Sequence, residues 1–256
     1  MGFTLLAPTS TGPEDARFDE TLIDMATTHG PTAAIWTAKQ GLVVPRTYRR
    51  HTGFEALCAE YALSGWPVTV RMSGGGIVPQ GPGIINVSLA YCIDGNPMDN
   101  SEAAYQLLCN VLGDAIARMG VQAHAAAVEG SFCDGRYNLA IGQGEHRKKV
   151  AGTAQLWRRY PTPGYKNRQA VLVHALVLAC VDTEQVTHRA NEFEQALGTD
   201  RRYLPGRTVS LHTLVQAGHA HDSKTAADAS FLSRLHALLE EYITGATLPP
   251  GSLTVS

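Results

Sequence analysis

The sequence predicts an α+β fold, on three observations: a long stretch of helical apolar spacing near the middle of the chain, several short apolar or alternating runs that read as strands, and a helical last quarter. Phe18, Leu22 and Met25 repeat at helical spacing between Asp15 and a stop at Gly30, which predicts the first helix. Residues 35–38 and 42–44 read as short strands around Gln40 and Gly41, and residues 54–63 as a second helix ending at Ser64 and Gly65. P-V-T-V-R at residues 67–71 alternates like a strand and runs straight into Ser73, Gly74, Gly75 and Gly76. Residues 79–82 then read as a turn and residues 84–91 as a buried strand.

The longest helix is expected to start near Asn100 or Ser101, with Glu102 in its first turn, and to stop before Gly120. Ala104, Leu107, Leu108, Val111, Leu112 and Ala115 give it one apolar face. Strands are expected at residues 121–128, 137–141, 150–157 and 170–181. A helix over residues 184–197, a connector over 198–207 rich in Gly, Pro and Arg, and a helix over 226–244 complete the chain. With no long linker before it, the last quarter reads as a helical subregion (183–256) packed on a main domain (1–182).

A chain of 256 residues with 44% hydrophobic content can bury a sizeable core. Its formal charge of -2 supplies no net drive toward nucleic acid, although basic clusters at residues 46–50 and 147–149 can act locally. The five cysteines, Cys58, Cys92, Cys109, Cys133 and Cys180, are odd in number, widely spaced and without a C-x-x-C pair. This argues against a disulfide framework and for reduced thiols in a cytoplasm. The N-terminal residues lack a basic segment followed by a long apolar one, and no run approaches about 18 apolar residues, so neither an export signal nor a membrane span is expected.

Chemistry concentrates between Cys133 and Gln155, where C-D-G-R-Y-N-L-A-I is followed, across a short polar hairpin, by K-K-V-A-G-T-A-Q. A lone cysteine is more often a small buried hydrophobe than a nucleophile. Cys133, however, sits among small and polar residues, with Arg136 and Lys149 close enough in sequence to favour a thiolate, whereas Cys58, Cys109 and Cys180 lie in apolar runs. Lys149 has an equally plain reading as part of a solvated H-R-K-K tip; against it, Lys149 is the last charge before a buried strand and can point into a pocket. The glycine loop can be a tight turn or a place where bare backbone meets a ligand. His212, His219, His221 and Asp222 match no common zinc spacing in what reads as an exposed loop, so no metal is expected. His174, in an apolar strand, reads as a hydrogen-bonded core residue.

Taken in order, R-M-S-G-G-G-I-V from Arg71, G-I-I-N-V-S-L from Gly83, G-R-Y-N-L from Gly135, K-V-A-G-T-A-Q from Lys149 and L-V-H from Leu172 resemble the lipoate–protein ligase, octanoyltransferase and biotin ligase superfamily over about residues 30–182. The resemblance implies a mixed sheet packed with helices, as in biotin/lipoate protein ligase-like catalytic domains, and attachment of lipoate or octanoate to a lysine of a lipoyl carrier domain. The acceptor would be a glycine cleavage H protein or a 2-oxoacid dehydrogenase E2. An acyl carrier protein or another lipoyl domain would be the donor.

The segment around Cys133 looks like the cysteine-bearing version, which puts the family's nucleophile on Cys133 and its common lysine on Lys149. Arg71, Ser73, Gly74, Gly75, Gly76, Asn86, Gly135, Arg136, Asn138, Gly152 and Thr153 fall on substrate-binding positions, with the apolar residues of 84–89 expected to line an acyl tunnel. Thioester transfer requires no cofactor; the ligase branch requires ATP and magnesium. Met72 stands where many ligases carry a second arginine, and V-P-Q-G-P-G at residues 78–83 lacks their histidine–aspartate pair, both departures from the ATP-using pattern. A non-catalytic acyl binder that keeps the pocket is the third possibility.

Overall fold

A computed structural model describes residues 2–7, 17–161, 167–216 and 224–253. In chain order the elements are β1 (Thr4–Leu5), α1 (Thr21–His29), β2 (Thr32–Trp36), β3 (Gly41–Pro45), α2 (Phe54–Leu63), β4 (Val68–Arg71), β5 (Val78–Gln80) and β6 (Ile84–Asp94). There follow α3 (Pro97–Arg118), β7 (His124–Ala125), β8 (Leu139–Ile141), β9 (Lys148–Arg159), β10 (Arg168–Leu178), α4 (Thr183–Ala196), α5 (Leu211–Gln216), α6 (Lys224–Thr244) and β11 (Ser252–Leu253). Eight strands form one mixed sheet in the order β1-β2-β6-β10-β9-β8-β7, with β11 also paired to β6, and β4-β3-β5 form a second, smaller sheet. The fold is the α+β arrangement that the sequence predicts.

The centre of the large sheet is the antiparallel pair of β6 and β10, in register from Arg168 opposite Asp94 to Leu178 opposite Ile84. Because successive strand residues point to opposite faces, these two strands divide their side chains between different cores. Val87, Leu89, Val171, Val173 and Val177 face the core shared with α3 and α6. Ala90, Cys92, Ala170 and Leu172 face α1, and Ile84, Leu176 and Leu178 join the core under the small sheet. Phe231, Leu235, Leu239 and Ile243 of α6 pack into the first of these cores, and Val186, Ala190 and Phe193 of α4 into the last.

Several elements differ from the sequence reading for identifiable reasons. The long helix begins at Pro97, before Asn100: the proline ring presets a helical φ, and its missing N–H falls where the helix has no acceptor for it. Residues 78–80 pair with β3 instead of turning, since Pro79 is tolerated on an edge strand. Of residues 121–128 only His124 and Ala125 pair as a strand. At one end the Val121 N–H caps α3 through the Ile116 carbonyl, and at the other the Val128 N–H goes to the Asp134 carboxylate at 2.8 Å. The first helix starts at Thr21 after a 3-10 turn, and Asp15 lies outside the described residues. The short helix α5 interrupts what reads as a loop, and His212 on it is buried.

Phe193 is fully buried among three aromatic rings, edge-on to Tyr61 at 5.0 Å and to Phe54 at 6.4 Å and stacked on Tyr48 at 6.5 Å. Phe193→Ala should therefore cost about 3–5 kcal/mol, lowering the thermal midpoint on the order of 10 °C by calorimetry. A fall of a degree or two would show that this core does not carry the small sheet.

Candidate active site

One pocket, with about 640 Å³ of empty space including its mouth, opens between the two sheets. Its walls are largely apolar, with Val43 and Val78 from the small sheet facing Leu156, Leu172 and Leu176 from β9 and β10, and Trp36 at the end of β2. Two sets of residues carry the polar groups of this lining. Cys133, Lys149, Gly152 and Thr153 form one group, and Asp19, Ser73 and His174 another.

Lys149 sits on β9 opposite Ala140 of β8, one residue after the exposed Lys148, and is fully buried. Its ammonium donates to the carbonyls of Phe132 (2.7 Å) and Cys133 (3.1 Å) and lies 5.2 Å from the centre of the Phe132 ring. Burial lowers its pKa to about 8, with the charges of Cys133 and Asp134 working against the shift. An ammonium has three N–H bonds, so after the two carbonyls one remains for a ligand. Gly152 makes room for it, because a Cβ there would stand 2.7 Å from Nζ. Behind it, the Lys149 N–H donates to the Arg207 carbonyl (2.9 Å) and the Val209 N–H to the Lys149 carbonyl (3.0 Å), so the stretch after α4 pins this end of β9.

Cys133 is the one non-glycine among the described residues with a positive φ, 51°. Such a conformation is uncommon for a side-chain-bearing residue and is held by its surroundings. The Cys133 carbonyl accepts from Lys149 and from the Asn138 amide (3.2 Å), and the Gly76 N–H points at the sulfur from 3.4 Å. The Arg71 guanidinium, also buried, donates to the carbonyls of Val43 (3.1 Å), Gly74 (2.9 Å) and Gly76 (2.7 Å) and lies 4.0 Å from Sγ. Arg71 thus folds the glycine loop around itself and brings its charge to the thiol, while desolvation lowers its own pKa. Burial raises the thiols of Cys58 and Cys109 to about 11 and Cys180 to about 12, so those sulfurs stay protonated.

Of the residues singled out by sequence, Arg71, Ser73, Asn86, Cys133, Lys149, Gly152 and Thr153 all line this pocket. Asn138 braces the Cys133 loop from behind, and Gly75 and Gly76 pack directly on Cys133. Gly135 closes a turn by accepting from the Asn138 N–H (3.0 Å), and exposed Arg136 lies over the Tyr137 ring, so Arg71 and Lys149, not Arg136, are the cations at the thiol. The acyl-tunnel expectation for residues 84–89 is corrected: Ile85, Val87 and Leu89 face α3, and Asn86 alone of that strand lines the pocket, amide to amide with Gln80. His174 is also no plain core histidine. Its Nδ1 meets the Asp19 carboxylate at 2.5 Å and its Nε2 the Ser73 hydroxyl at 3.2 Å, and a chain from Trp36 through Ser88 leads to the same carboxylate. His174 and Ser88 are register partners, and Leu172, His174 and Leu176 share one face of β10, an alternation present in the sequence.

Gly75 and its neighbour Gly74 provide an internal comparison. At Gly75, with φ of 104°, a Cβ would fall 2.4 Å from Cys133 Sγ; at Gly74 it would meet nothing within 4 Å. Gly75→Ala should displace the sulfur and change the iodoacetamide alkylation rate of Cys133 on the order of tenfold or more, by analogy with the cost of small misplacements at reactive groups. Gly74→Ala should leave it within about twofold, as expected of a substitution into open space. Equal rates in both variants, read by peptide mass spectrometry, would remove the glycine loop from the thiol's environment.

A model of the lipoyl protein ligase A/B catalytic domain matches residues 13–224. An uncharacterized protein of Cupriavidus necator is 44% identical over 243 residues, covering 93% of this chain and 94% of that protein. An octanoyl-[GcvH]:protein N-octanoyltransferase of Kyrpidia tusciae is 36% identical over 156 residues, 59% of this chain and 51% of the relative. One from Anoxybacillus flavithermus is 25% identical over 256 residues, 98% and 86% of the two chains. Among solved structures, lipoate-protein ligase A bound with ATP superposes with a TM-score of 0.55 at 15% identity, covering 95% of this chain and 94% of that one. The bi-partite lipoate protein ligase of Thermoplasma acidophilum superposes with a TM-score of 0.54 at 16% identity, over 94% and 91%. These last two speak to the fold alone; by the match over residues 13–224, this chain belongs to the lipoyl protein ligase A/B catalytic domain family.

Proposed function

We propose that the protein is a cysteine-dependent octanoyl or lipoyl transferase that carries the acyl group as a Cys133 thioester to the acceptor lysine of a lipoyl carrier domain. The observation that carries this reading is the enclosure of Cys133 Sγ by the Gly76 N–H and the Arg71 guanidinium, with the Lys149 ammonium bonded to the Cys133 carbonyl, in the lining of an apolar pocket. The relatives named octanoyl-[GcvH]:protein N-octanoyltransferase support octanoate as cargo and a glycine cleavage H protein as donor. Residues 1–182 would supply the thiol, lysine and pocket, and 183–256 the helical subregion packed against them.

In the first step the Cys133 thiolate attacks the donor's acyl carbonyl. A C–S bond forms, and the bond to the donor breaks: a donor nitrogen leaves as an amine after taking up one proton from solvent, or a donor sulfur leaves as a thiolate. In the second step the neutral acceptor amine attacks the thioester, forming an amide; its surplus proton goes to solvent, and the sulfur returns to its thiolate. In both steps charge gathers on the carbonyl oxygen, where the remaining Lys149 N–H can meet it. Burying the methylenes of an octanoyl chain along Leu156, Leu172 and Leu176 contributes on the order of 5 kcal/mol, at about 0.8 kcal/mol each.

The residues present fit ATP less well. Arg71 directs its donors to Val43, Gly74 and Gly76, and Met72 beside it is an exposed apolar side chain.

The test incubates the protein with an octanoylated H protein or acyl carrier protein and an acceptor lipoyl domain, with and without ATP and magnesium, and reads intact masses. Transfer without ATP, absent in Cys133→Ser, is the expected outcome. Full activity of Cys133→Ser in the presence of ATP would contradict the thioester route, and retained acyl ligand without transfer under every condition would leave only a binder. Lys149→Gln should slow acylation of Cys133 by about 10²–10³-fold. In the wild type, acylation should fall as pH rises through about 8, where Lys149 releases its proton. The same depression predicts that folding stability rises from pH about 8 to the ordinary lysine value near 10.5, because there the unfolded chain binds the proton that the folded one has lost. An acylation rate flat from pH 7 to 10 would show that the ammonium charge is not used.

A further inference from the structure

Outside the pocket, three side chains of metal-ligating type converge where β10, α5 and α6 meet. The ligand atoms of Cys180, His212 and Asp228 lie within 4.8 Å of one another. Cys180 stands two residues beyond the end of β10, with its N–H bound to the Gly83 carbonyl (2.9 Å). His212, on α5, is buried, its N–H bound to the Ala179 carbonyl (2.8 Å) and its ring 4.9 Å from that of Phe231. Asp228 comes from the second turn of α6, where its backbone carbonyl faces the Cys180 sulfur at 3.9 Å. Backbone hydrogen bonds thus fix two of the three positions independently of their side chains.

We propose that Cys180, His212 and Asp228 form a binding site for a thiophilic divalent transition ion, zinc by the chemistry of the set. One thiolate, one imidazole and one carboxylate with a fourth position left to water is a tetrahedral N/O/S set that suits zinc. In such a site neighbouring ligand atoms stand roughly 3–4 Å apart, so the cluster reaches the geometry through small side-chain adjustments. His212 Nδ1 and Asp228 Oδ1 approach to 2.5 Å, an ion pair when the ring is protonated, and the oxygen is shut off from solvent with no hydrogen-bond partner among the described residues. Two such atoms facing each other suit a shared cation that separates them. Entry of the ion releases the thiol proton, and any proton held between imidazole and carboxylate, to solvent. The ion's role would be a clip. It ties α5 and α6, whose Leu211, Phe231 and Leu235 belong to the main core, to the end of the central strand. The group lies outside the residues that line the catalytic pocket, so the proposal stands independently of the acyl-transfer reading.

The test titrates the metal-free full chain with Co²⁺ alone and follows its absorption. One ion per chain is expected, with visible bands of a tetrahedral site and a near-ultraviolet sulfur-to-cobalt band, displaced by one equivalent of Zn²⁺. Cys180→Ser should abolish the sulfur band. His212→Asn and Asp228→Asn should each weaken binding by more than about tenfold, the lower end of what even outer-shell changes cost at such sites. Cys133→Ser should leave it unchanged. Circular dichroism of the metal-free variants separates loss of a ligand from loss of the fold, and with Asp228→Asn as the mildest change at least one variant should remain readable. The wild type should melt at higher temperature with zinc than without. Absence of stoichiometric binding in the wild type, a sulfur band that survives Cys180→Ser, or one that vanishes in Cys133→Ser would each overturn the proposal.

Discussion

The buried Lys149 ammonium is the contact around which the site is arranged. A charge without water around it must find donors or acceptors elsewhere, and here it finds the carbonyls of Phe132 and Cys133. That need holds the loop before β8 against β9, and with it the left-handed backbone of Cys133. The same amine leaves no room for a side chain at Gly152 and is backed by the strand-like contact with residues 207–209. Remove the charge, and both the loop and the third N–H lose their purpose together.

Arg71 does for the glycine loop what Lys149 does for the cysteine loop. Both are cations buried on the two sides of the same thiol, and each spends most of its donors on backbone carbonyls. Burial of a charge is costly unless it is paired or hydrogen-bonded, so two such groups side by side are poor devices for stability alone. They are effective at placing positive charge where a sulfur or a developing oxyanion needs it, without a flexible side chain to reorganise. The β6–β10 pair makes this possible. It sends alternate side chains to opposite cores and leaves Asn86, Leu172, His174 and Leu176 for the pocket wall.

Much of the site was legible in the sequence because its parts are local. Arg71 with the glycines after it, Cys133 in a loop of small residues, and Lys149 at the edge of an apolar strand each carry their meaning within a few residues. What was not legible depends on register. Trp36 and Ser88 come beside His174 because β2, β6 and β10 are paired in one alignment, Asp19 reaches it from the 3-10 turn before α1, and neither Asp19 nor Ser88 has a neighbour in sequence that betrays it. For the same reason the apolar run at 84–89 reads as a tunnel wall when most of it belongs to the core on the other face. The fold class followed from periodicity, but β5 hid behind its Pro and Gly neighbours, and residues 121–128 read as a strand although their end N–H groups go to the last turn of α3 and to the Asp134 carboxylate.

In the proposed reaction the acyl group passes through Cys133 on its way to the acceptor. Rapid-quench intact-mass spectrometry of a single turnover measures this most directly. A Cys133 acyl-enzyme should form before product and decay at the rate at which the acylated lipoyl domain appears. Product that accumulates with no acyl-enzyme, or faster than the acyl-enzyme forms and decays, would contradict it.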